Sequence, residues 1–202
     1  MGEEPFVDFP VPRALVPVCT EVRSTVLATS ILAIKKHGHF ERYEPLLPAD
    51  RRDEILYAIP GQWLPVELGL VHYRACEAMG LSWDEIVAIG HSVAELGTKA
   101  VFSFFLKRAP DAGANPWVAL GAAPTHWTRS YQGSAAAVFK LGPREARMEV
   151  VNNPLASIPY FRASLQGITH ATAASFASHV SVRELTWQPE VPFRASYRVS
   201  WA

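Results

Sequence analysis

The sequence predicts an α+β fold, in which an N-terminal helical lobe precedes a four-stranded antiparallel sheet (ββαββ) with packed helices. Apolar residues recur at helical spacing through the first two thirds of the chain, and the turn Gly142-Pro143-Arg144 then separates two alternating segments. In the last segment every second residue is apolar: Phe193, Ala195, Tyr197, Val199 and Trp201. This two-residue period is typical of a strand that buries one face.

The helical lobe is predicted to span residues 19–132, after an extended leader over residues 1–18 that contains four prolines. Its first helix is predicted at 21–37, where Lys35 and Lys36 complement the negative end of the helix dipole. Further helices are predicted at 50–58, 65–79, 83–107 and 115–131. The capping box Ser82-Trp83-Asp84-Glu85 starts the fourth helix, and Pro124 is expected to kink or divide the fifth.

The sheet-containing half is predicted to span residues 133–202 and to form one domain with the lobe. Alternating residues predict a hairpin of strands at 135–141 and 145–152. A helix at 157–178 and strands at 180–187 and 192–201 follow. Two hairpins joined by a helix predict one antiparallel sheet.

Composition excludes several classes of function. Lys plus Arg and Asp plus Glu each number 19, so no net charge attracts nucleic acid or an anionic membrane. No apolar run approaches the roughly 20 residues needed to cross a bilayer. Cys19 and Cys76 show no metal-ligand or disulfide spacing, which favours a reducing compartment. We therefore expect a cytoplasmic protein with no nucleic-acid partner and no membrane insertion.

One segment resembles the nucleophile elbow of α/β-hydrolases and malonyl-type acyltransferases. This segment is Ile89-Gly90-His91-Ser92-Val93-Ala94. Asp111, followed by His126, His170 or His179, would supply the order of nucleophile, acid and base. Helical spacing places Ser92 inside a helix, however, and the strand–helix alternation of a parallel sheet is missing. The favoured interpretation is that small residues here let two helices approach closely, with no catalytic residue.

The seven histidines include no His-x-x-x-His pair, so no metal site is predicted. A single histidine suffices as the proximal ligand of haem iron, and His126 is the candidate. The alternative is a histidine that makes ordinary hydrogen bonds at a helix surface.

Aromatic residues are frequent around the predicted junction of lobe and sheet, where they would line a pocket for an apolar ligand. The alternatives are ordinary core packing and a dimer face. The residues predicted to bind ligand are His126, Trp127, Trp117, Phe105, Tyr131 and Phe161. On the polar face of the last strands, Arg183, Arg194 and Arg198 would form a small anion site or remain solvated.

Several short motifs resemble a family of myxobacterial proteins of this size, which is similar, more remotely, to the haem-NO-binding and 4-vinyl reductase domains. These motifs are Val22-Arg23-Ser24-Thr25-Val26-Leu27, Gly38-His39-Phe40-Glu41-Arg42-Tyr43, Gln62-Trp63-Leu64-Pro65, Ile89-Gly90-His91 and Leu165-Gln166-Gly167. The resemblance covers most of the chain after residue 20. It implies a helical lobe, a four-stranded antiparallel sheet, and ligand binding or sensing in place of turnover.

In the haem-NO-binding branch, a histidine on the helix before the sheet ligates the iron, and only His126 has a comparable position. That branch also clamps the haem propionates with a Tyr-x-Ser-x-Arg motif, near where this chain has Asn152-Asn153-Pro154-Leu155-Ala156. The clamp is absent, and two buried propionates would lack partners. From this departure we expect no cofactor, with haem as the alternative.

These observations predict a non-enzymatic sensory or regulatory domain that binds a small apolar molecule, a protein partner, or both, and that forms a homodimer. One alternative is a serine hydrolase or acyltransferase that uses Ser92. The other is a haem-based gas sensor with His126 as the axial ligand.

Overall fold

The helical lobe is present, as the sequence predicts. A computed structural model describes residues 4–101, 115–186, 191 and 193–202. The helices of the lobe are α1 (Ser24–Lys36), α2 (Phe40–Tyr43), α3 (Arg52–Leu56), α4 (Val66–Ala78), α5 (Trp83–Val101) and α6 (Pro116–Ser130). Helix α6 runs through Pro124 without being divided. The predicted continuation of α5 over residues 102–107 lies outside the described residues.

The main sheet confirms the predicted ββαββ arrangement. Its strands are β5 (Ala135–Gly142), β6 (Glu145–Val151), β7 (Val180–Glu184) and β8 (Ala195–Trp201), with helix α7 (Pro159–Ala174) between β6 and β7. All neighbouring strands are antiparallel, and both hairpins have the predicted pairing. Helix α7 starts later than predicted because residues 154–157 form a 3-10 turn that the Asn153 side chain caps.

The leader adds a fifth strand to this sheet. Strand β1 (Glu4–Val7) pairs antiparallel with β5, which gives the order β1-β5-β6-β8-β7. The leader then crosses the outer face of the sheet, where Phe9 and Val16 pack against Ala135 and Val151. It therefore covers backbone groups of β5 that would otherwise form an open sheet edge.

A second, small sheet ties the lobe to the sheet half. It consists of β2 (Glu21–Arg23), β3 (Trp63–Pro65) and β4 (Tyr131–Gln132), in the order β3-β2-β4. The expectation of a helix from residue 21 is wrong there, because Val22 pairs with Leu64 on one side and Tyr131 on the other. Helix α1 begins only at Ser24.

Helices α5 and α7 cross at two glycines. A Cβ atom on Gly90 would lie 2.1 Å from the carbonyl oxygen of Ser164, and one on Gly167 would lie 2.1 Å from that of Val87. Both distances are far below van der Waals contact. Small residues here therefore let two helices meet backbone to backbone. Among the described residues, no helix is long and apolar enough to span a membrane.

Candidate functional site

Three of the residues predicted to bind ligand come together in the interior. The ring centroids of Trp127 and Tyr131, on α6 and β4, lie 4.3 Å apart, and those of Tyr131 and Phe161 lie 6.4 Å apart. All three side chains are buried. The Trp127 indole N–H donates to Ser134 Oγ at 2.8 Å, so its polar atom has a partner.

The other predicted residues lie elsewhere. Trp117 is at the far end of α6, where its ring packs 4.9 Å from Phe6 and 5.0 Å from Trp201. Its indole N–H donates to the carbonyl of Pro143 at 3.0 Å, so it contributes to the contact between α6 and the sheet. Phe105 lies outside the described residues.

The buried aromatic residues continue into the helical lobe. Phe161 packs 5.0 Å from Tyr73, which lies 4.7 Å from His72, and that imidazole lies 5.4 Å from Tyr43. This series of rings, together with Tyr131 and Trp127, connects α6 to α2. Buried aromatic side chains thus pack across the junction of lobe and sheet, and their role in binding a ligand stays a prediction.

At the lobe end of this series lies a buried histidine that the sequence analysis missed. His72 is fully buried, with Nδ1 2.6 Å from the Tyr43 hydroxyl and Nε2 2.9 Å from the Ser30 hydroxyl. Burial lowers the pKa of His72 to about 3, so the imidazole is neutral. One nitrogen then donates and the other accepts, and each has a hydroxyl partner.

Further polar groups surround His72. The Cys76 sulfur lies 3.7 Å from Nε2, one helical turn along α4. Burial raises the pKa values of Tyr43, Tyr73, Cys76 and Tyr160, so these groups are uncharged. The spacing of His72 and Cys76 by four residues, on the apolar face of the predicted helix 65–79, was the signal that could have identified this cluster.

His126 lies on α6, directly ahead of the sheet. It is half-buried, and burial together with the nearby charge of Arg129 lowers its pKa. The imidazole is therefore neutral at pH 7, which is the form that ligates a metal. Among the described residues, no group of three or more His, Cys, Asp or Glu side chains is arranged to hold a metal ion.

Ser92 does not form a nucleophile elbow. It is buried well inside α5, where its hydroxyl lies 2.9 Å from His37 Nε2 and accepts a hydrogen bond from Lys36 Nζ at 3.3 Å. An imidazole is thus within reach, but the N–H groups around a residue inside a helix are used by carbonyls four residues earlier. No oxyanion hole can form from them, so the hydrolase alternative is unsupported.

Comparison with known proteins identifies the fold. No family model and no curated protein matches this chain. Solved structures do match, and three of them each align with 89% of this chain. An Fe(II) unliganded H-NOX protein from K. algicida is 10% identical over 96% of its own length, with a TM-score of 0.65. An oxygen-binding H-NOX domain related to soluble guanylate cyclases is 14% identical over 94% of its length, with a TM-score of 0.61.

The third structure comes from work on haem redox potential and porphyrin distortion, and is 12% identical over 99% of its length, with a TM-score of 0.59. Another match was used to probe haem distortion in the H-NOX family. The expectation of no cofactor is therefore wrong at the level of the fold, because the matched H-NOX structures are haem-binding domains. The resemblance to the haem-NO-binding group is confirmed at the level of structure: the chain has the H-NOX fold.

Proposed function

We propose that this chain is a non-enzymatic sensor domain that binds haem, with His126 as the axial ligand of the iron. The observation that carries the proposal is the position of a neutral, half-buried imidazole on α6, directly before the sheet of an H-NOX fold. A proximal histidine is a common ligand of haem iron. When bound, haem supplies an iron centre that binds diatomic gases.

His126 has the protonation state that a ligand of haem iron requires. A metal ligand must be deprotonated, and both burial and the charge of Arg129 already keep His126 in that form. His72 is also neutral, but its two nitrogens already have the hydroxyls of Tyr43 and Ser30 as partners. Ligation through His72 would break one of these buried hydrogen bonds, which argues against His72 as the ligand. His126 is selected for its position on α6, directly before the sheet.

The residues at the position of the propionate clamp differ from those of the haem-NO-binding branch. Asn152 Nδ2 donates to the carbonyl of Val16, and Asn153 Oδ1 accepts from the Leu155 N–H at 3.0 Å. These side chains hold the leader and cap a turn, so they are not a clamp. Arg129, one turn beyond His126 on α6, would supply a cation for the propionates.

The test is a titration of the purified protein with hemin, followed through the Soret band. We expect a single saturable site, loss of about tenfold or more in affinity in His126→Ala, and recovery when free imidazole is added. His179→Ala, which removes an exposed histidine, is the matched control. A wild-type protein without a Soret shift contradicts haem binding, and an unchanged His126→Ala spectrum contradicts the assignment of the ligand.

The non-enzymatic part of the proposal has a separate test. Ser92 is held inside α5, where the surrounding backbone N–H groups are used by the helix and cannot act as oxyanion donors, so a fluorophosphonate probe should leave it unmodified. Labelling of Ser92 in the folded protein would contradict this part of the proposal.

We also propose that the signal passes to a protein partner, which can be a second copy of this chain. The apolar side chains of Tyr57 and Ile59 support this proposal, because they are 78% and 69% exposed. We further propose that the protein works in the cytoplasm, because Cys19 and Cys76 are both buried free thiols. Native mass spectrometry of the purified protein tests the homodimer, and a monomer at all concentrations contradicts it.

A further inference from the structure

Tyr43 and His72 form a buried pair of phenol and imidazole in the helical lobe. Both side chains are fully buried, and the Tyr43 hydroxyl lies 2.6 Å from Nδ1 of His72. A phenol is a more acidic hydroxyl than that of a serine, so Tyr43 donates to Nδ1 and Nε2–H donates to Ser30 Oγ at 2.9 Å. The phenol proton is therefore already directed at a basic nitrogen.

The basic partner distinguishes Tyr43 from another tyrosine of equal burial. Tyr197 is also fully buried, but its hydroxyl donates to the backbone carbonyl of Arg162 at 2.8 Å. A carbonyl oxygen accepts a hydrogen bond but is a very weak base, whereas a neutral imidazole takes up a proton readily. Of these two buried phenols, only that of Tyr43 has a group beside it that can accept its proton.

A phenol held in this way can lose an electron because its proton has an acceptor. Loss of one electron turns a phenol into a far stronger acid than an imidazolium ion, so the proton crosses to Nδ1 of His72. Burial lowers the pKa of His72 to about 3, so Nδ1 is unprotonated at pH 7 and able to accept the proton. The products are a neutral tyrosyl radical and an imidazolium ion whose Nε2–H still donates to Ser30.

Aromatic rings connect this pair to the junction of lobe and sheet. From α6 to His72, neighbouring ring centroids are 4.3 to 6.4 Å apart along the series Trp127, Tyr131, Phe161 and Tyr73. Tyrosine and tryptophan are among the most easily oxidised side chains, so this series offers a route by which an electron leaves the buried pair. Burial of Tyr43 therefore does not isolate it from an oxidant outside the lobe.

We propose that Tyr43 is a redox-active tyrosine, which gives one electron to a strong one-electron oxidant and its phenol proton to Nδ1 of His72. The O–H bond of Tyr43 breaks, an N–H bond forms on His72, and the oxidant is reduced by one electron, so atoms and charge balance. Return of one electron to the radical brings the proton back to the phenol oxygen. The step needs no haem, so it is tested separately from the proposed iron site.

The test uses the full chain without added hemin and with Tyr57→Phe, which removes an exposed tyrosine. Photogenerated tris(bipyridine)ruthenium(III) is the one-electron oxidant, and electron paramagnetic resonance of rapidly frozen samples detects tyrosyl radicals. We expect a tyrosyl signal that loses most of its intensity when Tyr43→Phe is added. His72→Asn keeps a hydrogen-bond acceptor but removes the base, and it should lose the signal as well. Tyr197→Phe removes an equally buried hydroxyl and is the matched control that should keep the signal.

A second measurement on the Tyr57→Phe chain needs no change at the pair. Electron–nuclear double resonance in H₂O and D₂O should show an exchangeable proton hydrogen-bonded to the radical oxygen, which is the proton held by Nδ1 of His72. The proposal is overturned if no tyrosyl signal forms, if this exchangeable coupling is missing, or if Tyr197→Phe loses the signal. It is also overturned if Tyr43→Phe or His72→Asn, shown by circular dichroism to be folded, keeps the signal. Where neither variant folds, the exchangeable coupling alone decides.

Discussion

The crossing of α5 and α7 makes a sharp prediction for Gly90→Ala. The new Cβ would lie 2.1 Å from the Ser164 carbonyl oxygen, whereas real Cβ contacts are essentially never under 3.0 Å. The two helices would therefore have to separate by about 1 Å, and a backbone carbonyl inside a helix cannot rotate away. The change tests whether this close approach contributes to stability.

Two opposing effects set the change in the free energy of unfolding of Gly90→Ala. Replacing glycine by alanine inside a helix stabilises it by about 0.8–1 kcal/mol. Overpacking of a tight contact costs about 3 kcal/mol, so we expect a net loss of about 2 kcal/mol in the free energy of unfolding. For a domain of this size, that loss lowers the melting temperature by about 6 °C.

Gly97→Ala provides the control, because Gly97 is on the same helix and a Cβ there meets nothing within 4 Å. It should keep the gain in helix propensity and raise stability by about 0.8 kcal/mol. Urea unfolding followed by circular dichroism measures both variants. If Gly90→Ala proves as stable as Gly97→Ala, the glycine crossing is not a close contact in solution and the reasoning is refuted.

Two further predictions concern the buried histidine. Tyr43→Phe leaves Nδ1 of His72 without its hydroxyl partner and should lower the free energy of unfolding in urea by about 2 kcal/mol. The control is Tyr57→Phe, at a side chain that is 78% exposed, which should change that free energy by less than about 0.5 kcal/mol. His72 has a pKa of about 3 when folded and 6.5 otherwise, so the unfolded chain binds more protons between these values. The stabilisation that comes from keeping His72 neutral is fully present above pH 6.5 and is lost as the pH falls towards 3, by up to about 1.4 kcal/mol per pH unit. Between pH 7 and pH 5, the free energy of unfolding should therefore fall less steeply in His72→Asn than in the wild type.

If Tyr43→Phe and Tyr57→Phe lower the free energy of unfolding equally, the hydrogen bond between the Tyr43 hydroxyl and His72 does not stabilise the protein. Equal slopes in the wild type and His72→Asn would show that His72 is accessible to protons in the folded protein.

Much of the secondary structure could be predicted because its signals are local. The capping box at Ser82 starts α5 within one residue, and the alternation in 145–152 and 192–201 marks β6 and β8. Residues 21–23 were assigned to a helix because Val22 continues the apolar spacing of α1. That spacing does not reveal that strands β3 and β4, far along the chain, pair with it.

The candidate sites depended on contacts across the chain. His126 could be selected from its position before the sheet, and Trp127, Tyr131 and Phe161 from their aromatic character. Trp117 could not be separated from them by sequence, because helical period does not tell which end of α6 faces the interior and which faces Trp201.

By itself, the sequence determined the α+β class, the order of helices and strands, and the absence of net charge, because periodicity and composition are properties of neighbouring residues and of the whole chain. The tertiary structure alone decided that Arg13 meets Glu149, that Tyr43 and Ser30 enclose His72, and that His37 reaches a serine inside a helix. These pairs are 29 to 136 residues apart. Their contacts depend on helix crossings and strand register, which are set by packing over the entire chain.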